Sequence, residues 1–419
     1  MEQLMELVDA KYVRNFQEFC GVQPREDCRA ESGVQPSEGS RVSEFVAPTQ
    51  KTNGVLETKN NNNDIKGRIY KDGSSHGYKD RDDSLHSTSL EQTPYIIKYK
   101  AIYYVAKVGA FFGDEIFYMT FFPFWLWNVD SLVGRQTIFV WCFVMYFGQA
   151  TKDYLRWPRP PSPPVFRLET SHLQEYSMPS THAMAGTAIP TVLVYGLCTR
   201  YEFPVAAAIA LVSTWCVTVC LSRLYLGVHT VLDVLVGFLF SVVIIIVATP
   251  YFKEFDTFQQ THPSAPFVLF TTGLALCTVC YPGNDQHSAK GDAVGTVAVT
   301  VGLSYGMWLN HHLGLTSPPE VTPPYAIASP TVAWLALSMI RLFSGAFVLA
   351  LVREVVTTVS IKAFSYFFGL EKPDKSHPTV QTAYKFVSYF SMGVCVLWAV
   401  PYVHKTMGIC RSNFYFEVL

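Results

Sequence analysis

The chain has 419 residues, of which 49% are hydrophobic and only 16% charged, with a formal net charge of -1 at pH 7. Its mean hydropathy of +0.19 lies on the membrane side of the globular norm. The near-neutral charge gives no reason to expect nucleic acid as a partner. Ten cysteines without framework spacing argue against a disulfide-built secreted domain.

In chain order, the start lacks the basic region and continuous apolar run of a secretory signal. Residues 1–22 pattern as a short amphipathic helix, with Leu4, Leu7, Val8, Tyr12, Val13 and Phe16 near helical spacing. A frayed terminal helix fits that pattern as well as a membrane-surface helix does. Residues 23–92 are polar, with an Asn run at Asn60 to Asn63. They hold too little apolar surface to offset chain entropy and are expected to be disordered.

From about Tyr95 the composition changes. A spanning helix needs roughly 20 mostly apolar residues. Candidates follow at 100–126, 136–155, 183–199, 204–221, 230–250, 266–281, 293–311, 331–352 and 384–403. The first holds Asp114 and Glu115, a costly pair in lipid. Either they face the bundle interior or the segment breaks near Gly109 and Gly113. Trp125, Trp127, Trp141 and Trp157 lie near segment ends, as interfacial tryptophans do. The short aromatic stretch 355–368 is expected in the interface. Cys277 and Cys280 lack a second pair and read as ordinary membrane-helix cysteines. The expected architecture is an all-α polytopic membrane protein, a helical bundle with a catalytic core over 93–252 and further transmembrane helices over 253–419.

Three polar clusters interrupt this apolar chain. The first holds Lys152 and Arg159, about two helical turns apart, with Pro158 and Pro160 ending the helix between them. An ammonium and a guanidinium fork so placed converge on one oxyanion. Positive-inside anchoring fits the same residues equally well. The second, Met178-Pro179-Ser180-Thr181-His182, reads as a capped helix start followed by small residues. Free backbone N–H groups there bind anions. A capped loop with an incidental histidine is the plainer alternative. The third holds Ser222, Arg223, His229 and Asp233. His229 and Asp233 are spaced i, i+4, so a shared helix face would let the carboxylate orient the imidazole. If the helices alternate, the loops at 156–182 and 222–229 open on one membrane face, and the clusters meet.

This inventory suits two-step phosphoryl transfer. His229 would attack phosphorus and His182 would protonate the leaving alkoxide. Lys152, Arg159, Arg223 and the helix start at Ser180 and Thr181 would hold the phosphate oxygens. One carboxylate among three cationic side chains suits no divalent metal, so neither metal nor other cofactor is expected.

The three motifs, K-x6-R-P at Lys152 to Pro160, P-S-T-H at Pro179 to His182 and S-R-x5-H-x3-D at Ser222 to Asp233, resemble the signatures of the type 2 phosphatidic acid phosphatase superfamily. Within it the chain is similar to the sphingosine-1-phosphate phosphatases, from about residue 95 to the end and at Phe16 to Val22. The stretch His229 to Leu235 looks more like the second paralogue than the first. The resemblance implies a six-helix catalytic core and a metal-independent phosphatase of the endoplasmic reticulum membrane. Its substrates would be sphingosine 1-phosphate and related sphingoid base phosphates, such as dihydrosphingosine 1-phosphate and phytosphingosine 1-phosphate. It also implies His229 as nucleophile, Asp233 as its partner, His182 as acid, and Lys152, Arg159, Ser180 and Arg223 as phosphate holders. Thr181 departs from the glycine common in the broad superfamily, and its amide rather than its hydroxyl is expected to matter.

A lumenal site and a cytosolic N-terminus follow from the resemblance, whereas two spans before Lys152 would place both on one side. Either the 93–127 region crosses twice or the N-terminus is lumenal. Another lipid or polyprenyl phosphate phosphatase, and a non-catalytic transporter or scaffold, are the competing functions. The sequence leaves the oligomeric state open.

Overall fold

The structure, a computed structural model, describes residues 6–25, 95–171, 174–283, 289–319, 321–327 and 329–417. The polar segment 26–94 lies outside the described residues.

Helix α1 (Ala10–Phe19) starts at Asp9, whose carboxylate accepts from the Lys11 amide. Strand β1 (Val22–Pro24) pairs antiparallel with β2 (Tyr95–Ile97), Val22 opposite Ile97. Gln23 and Pro24, assigned by composition to the polar stretch, are held there by this pairing.

The apolar run 100–126 breaks at Gly113 into α2 (Lys100–Phe111) and α3 (Glu115–Asn128). Asp114 caps α3, its side chain accepting from the Ile116 amide at 2.9 Å. The two helices run end to end, antiparallel to α6 (Val205–Tyr225). Ala106 and Ala110 pack in a cluster with Tyr225, Gly109 abuts Thr218 and Ser222, and Phe112 stacks on Trp215 at 4.7 Å. The region therefore runs one way along α6, and α4 (Ser131–Leu155) returns. Helix α1 lies on the same face as the end of α4. Gln17 there donates to the carbonyls of Phe166 and Tyr225 and accepts from the Phe166 amide. The 93–127 region thus runs in one direction along α6, and the N-terminal helix lies on the face that carries the three motifs.

Helix α5 (Thr181–Arg200) is central and packs on α4, α6 and α7 (Val231–Ala248). Its small residues permit close approach: a Cβ on Gly186 would fall 2.7 Å from Val219. Helix α7 runs through a tight turn at Thr249–Tyr251 into α8 (Phe252–Thr261). Then come α9 (Ala265–Thr278), α10 (Lys290–His312), α11 (Val332–Phe367), α12 (Pro378–Val394), a π-helical turn at Cys395–Ala399 and α13 (Val400–Thr406). Helix α10 packs on α4 and α12, and α11 on α3 and α12, so the C-terminal helices shield the α3–α4 side of the core.

Among the described residues four helical stretches are both long and apolar enough to span a membrane: Val205–Tyr225, Val231–Thr261, Val332–Phe367 and Pro378–Thr406. Helix α4 has the length but turns polar groups inward, among them Arg135, Gln149, Lys152 and Asp153, which dilutes its hydropathy. Helix α11 absorbs both 331–352 and 355–368 in 36 residues. At ~1.5 Å per residue it reaches ~54 Å, past a ~30 Å hydrocarbon core, so 355–368 continues a spanning helix and is no separate interfacial piece. Trp127 and Trp141 are buried in the main apolar cluster, not interfacial: α11 and the chain after α12 cover Trp127, and Trp141 packs on Tyr118 and Phe122 of α3. Exposed Leu239, Phe347 and Leu351 belong to the outward faces of α7 and α11, which suit lipid.

Candidate active site

Four helix ends converge on the face that carries α1: the ends of α4 and α6 and the starts of α5 and α7. Helix α4 ends at Leu155, with Arg156 in the left-handed region at φ 52°. Lys152, in its last turn, is buried and donates to Glu175 Oε2 at 2.9 Å and Thr181 Oγ1 at 3.2 Å. On the extended exit, Arg159 donates to the carbonyls of Glu175 (3.0 Å) and Val228 (2.8 Å). Its Nη1 lies 3.5 Å from His229 Nε2. Arg223, near the end of α6, is buried and reaches Glu169 Oε1 at 3.2 Å through Nη2. Its Nε and Nη1 have no hydrogen-bond partner. Buried unpaired guanidinium donors are costly, and an oxyanion is the group that best satisfies them.

Ser180 caps α5, its hydroxyl accepting from the Ala183 amide at 3.4 Å while its own amide donates to the Asp233 carbonyl at 3.1 Å. Thr181 opens the helix, and its hydroxyl accepts from Lys152. His182 follows in the first turn, half-buried. Its ring lies flush against Gly113, where a Cβ would stand 2.2 Å from His182 Cδ2. Glycine is therefore required at the α2–α3 break to seat this imidazole.

His229 and Asp233 meet for a reason other than a shared helix face. His229 precedes α7, and Thr230 is the N-cap. Asp233, third in the helix, reaches back in a capping box and accepts from the Thr230 amide at 2.7 Å. It lies 3.7 Å from His229 Nδ1, beyond hydrogen-bond length. Ser177 bridges the gap, with its hydroxyl 3.3 Å from Nδ1 and donating to Asp233 Oδ2 at 2.6 Å. A proton on Nδ1 donated to Ser177 leaves the Nε2 lone pair turned toward Arg159. Burial, reinforced by Arg159 and Arg223 against the pull of Asp233, pushes the His229 pKa below its usual value and keeps the ring neutral.

Lys152, Arg159, Thr181, His182, Arg223 and His229 line one cavity of about 430 Å³, whereas Ser180 and Asp233 stand behind its wall. Sequence reasoning missed Gly113, Glu169, Glu175 and Ser177. Only the proximity of Ser177 to the Pro179–His182 cluster, and the helix break at Gly113, could have pointed to any of them. Among the described residues no three His, Cys, Asp or Glu side chains cluster as metal ligands. The arrangement can bind a tetrahedral oxyanion between fixed cations and a helix start, and present a neutral imidazole nitrogen to it.

The PAP2 superfamily model matches residues 134–256. Sphingosine-1-phosphate phosphatase 1 of Rattus norvegicus is 36% identical over 313 residues, 74% of this chain and 73% of the relative. Sphingosine-1-phosphate phosphatase 2 of Homo sapiens is 36% identical over 321 residues, 75% of this chain and 80% of the relative. These equal identities do not separate the two paralogues. A dihydrosphingosine 1-phosphate phosphatase of Saccharomyces cerevisiae is 26% identical over 239 residues, 55% of this chain and 58% of the relative. No solved structure matches the chain. With all three motifs converging inside or beside the matched segment, the chain belongs to the sphingosine-1-phosphate phosphatase family of the PAP2 superfamily.

Proposed function

We propose that this protein is a phosphoric monoester hydrolase that removes phosphate from sphingosine 1-phosphate and related sphingoid base phosphates in sphingolipid metabolism. Family membership supports the substrate class. The observation that carries the chemistry is the His229–Ser177–Asp233 chain, which leaves His229 Nε2 facing Arg159.

In the first step Nε2 forms an N–P bond while the P–O ester bond breaks, and the departing alkoxide takes a proton from His182. In the second, water gives a proton to His182 and its oxygen bonds phosphorus as the N–P bond breaks. Inorganic phosphate and neutral His229 result. Lys152, Arg159, Arg223 and the start of α5 hold the oxygens on which charge accumulates. The protein is multi-pass, and we place it in the endoplasmic reticulum membrane, as the family resemblance implies.

Purified protein on a matched panel tests the substrate. Faster turnover of sphingoid base phosphates than of phosphatidic acid or polyprenyl phosphates is expected; equal rates would overturn the assignment. Acid-labile phosphate should be trapped on the wild type and not on His229→Ala. Trapping that survives the substitution removes His229 as nucleophile. An activity wholly indifferent to His229→Ala would leave the scaffold or transporter reading in its place.

A further inference from the structure

The cavity does not stop at the phosphate site. Ile138, Trp141, Met145, Gln149 and Lys152 line it from one face of α4 at helical spacing. From Gln149 to Ile138 this stripe runs ~16 Å at ~1.5 Å per residue, about the depth of one leaflet of a ~30 Å hydrocarbon core. The facing wall comes from helices outside the segment 134–256 matched by the superfamily: Val299 and Leu303 of α10, Leu349 of α11, Met392 of α12 and Val396 of the π-helical turn after it. The lower cavity is thus a slot between the core and the C-terminal helices, for which the two chemical steps have no use.

The slot is not purely apolar. Tyr118, Trp141 and Gln149 line it, and Tyr118 Oη, Trp141 Nε1 and Gln149 Oε1 have no hydrogen-bond partner. Their side chains belong to residues only 6%, 8% and 3% exposed. Buried polar atoms are nearly always satisfied, so three orphans along one cavity mark where a ligand supplies partners. Gln149 lies one turn below Lys152, just past the phosphate. Its oxygen is an acceptor and calls for a donor. Asp114, Glu115 and Asp292 line the same cavity, giving it negative charge beside the cationic phosphate site.

We infer that this slot is a single-chain subsite for a 2-amino-1-phosphate lipid, with Gln149 and Tyr118 taking the amino and hydroxyl groups next to the phosphoester, and the C-terminal helices enclosing the one tail. It rests on the phosphatase reading and deepens it. A diacyl phosphate brings a second tail and no ammonium, so it neither fits the slot nor satisfies Gln149.

The test uses the full chain in mixed micelles with three single-chain phosphates: an 18-carbon sphingoid base phosphate, a 6-carbon one, and an 18-carbon alcohol phosphate without an amine. Gln149→Leu keeps the side-chain volume and removes the acceptor. Its kcat/KM ratio of sphingoid base phosphate to alcohol phosphate should fall about tenfold. Val299→Trp narrows the slot, and its ratio of 18-carbon to 6-carbon substrate should fall about tenfold or more. Leu349→Phe, from another helix of the wall, carries the same test if Val299→Trp does not accumulate. A ratio unmoved in Gln149→Leu, with every substrate slowed alike, overturns the headgroup contact. A chain-length ratio unmoved in the wall variants overturns the tail slot. Wild-type protein inert on the sphingoid base phosphates overturns the functional reading itself.

Discussion

Ser177→Ala isolates the bridge between His229 and Asp233. The hydroxyl is buried, 3.3 Å from His229 Nδ1 and 2.6 Å from Asp233 Oδ2. Its removal leaves the backbone in place, because the Ser177 amide still donates to the Trp157 carbonyl at 2.8 Å. Asp233 Oδ2 keeps the Thr230 amide, so the carboxylate stays put. What is lost is the hydrogen-bond partner of Nδ1 among the described residues, since Asp233 at 3.7 Å is too far to replace it. A hydrogen bond to a charged group is worth about 1.5–3 kcal/mol, and imidazole charge grows as Nε2 attacks phosphorus. Each 1.4 kcal/mol is a factor of ten in rate, so kcat should fall roughly 10- to 100-fold. The assay is phosphate release at saturating substrate, with burst-phase trapping of acid-labile phosphate. KM should move little. Combining Ser177→Ala with Asp233→Asn should cost far less than the product of the single effects, because both act through one nitrogen. A kcat within twofold of wild type, or independent effects in the double variant, would refute the bridge.

Four further outcomes are expected. Gly113→Ala should lower kcat by at least an order of magnitude in steady-state turnover, because its Cβ would occupy the space of the His182 ring. Gln17→Leu removes three buried hydrogen bonds to Phe166 and Tyr225 and should destabilise the protein by about 2–4 kcal/mol, read as a lower Tm in detergent. For pH, burial lowers the folded His229 pKa, so below about 6.5 the unfolded chain binds a proton that the folded one does not. Stability therefore falls as the pH is lowered through that window, by up to ~1.4 kcal/mol per unit relative to His229→Gln, a difference measurable from Tm against pH. Finally, a tag at the N-terminus should share its side of sealed microsomes with the substrate-accessible site, as judged by protease protection.

The apolar runs of the core and the three polar clusters were written in the local sequence, because apolar run length and short motifs are local quantities. Lys152, Arg159 and Arg223 stood out by charge in an apolar context, and the folded chain brings all three to one cavity. Their counter-carboxylates did not stand out, since Glu169 and Glu175 lie on the loop between motifs and reach Arg223 and Lys152 only after folding. The sequence also suggested the right residues for a wrong reason at Asp233. The i, i+4 spacing implied a helix face, but the helix starts after His229, and capping geometry makes the pair.

What the chain determined by itself is that a bundle forms and that three motifs fall at helix ends, where free N–H groups and charge accumulate. Tertiary structure alone decided that α2 and α3 run end to end along α6, that α1 locks onto the site face through Gln17, and that Ser177 stands between His229 and Asp233. It alone decided that α10 to α12 close a slot over α4. These depend on contacts between residues far apart in the chain, and the pattern within any single segment carries no record of which distant surface will cover it.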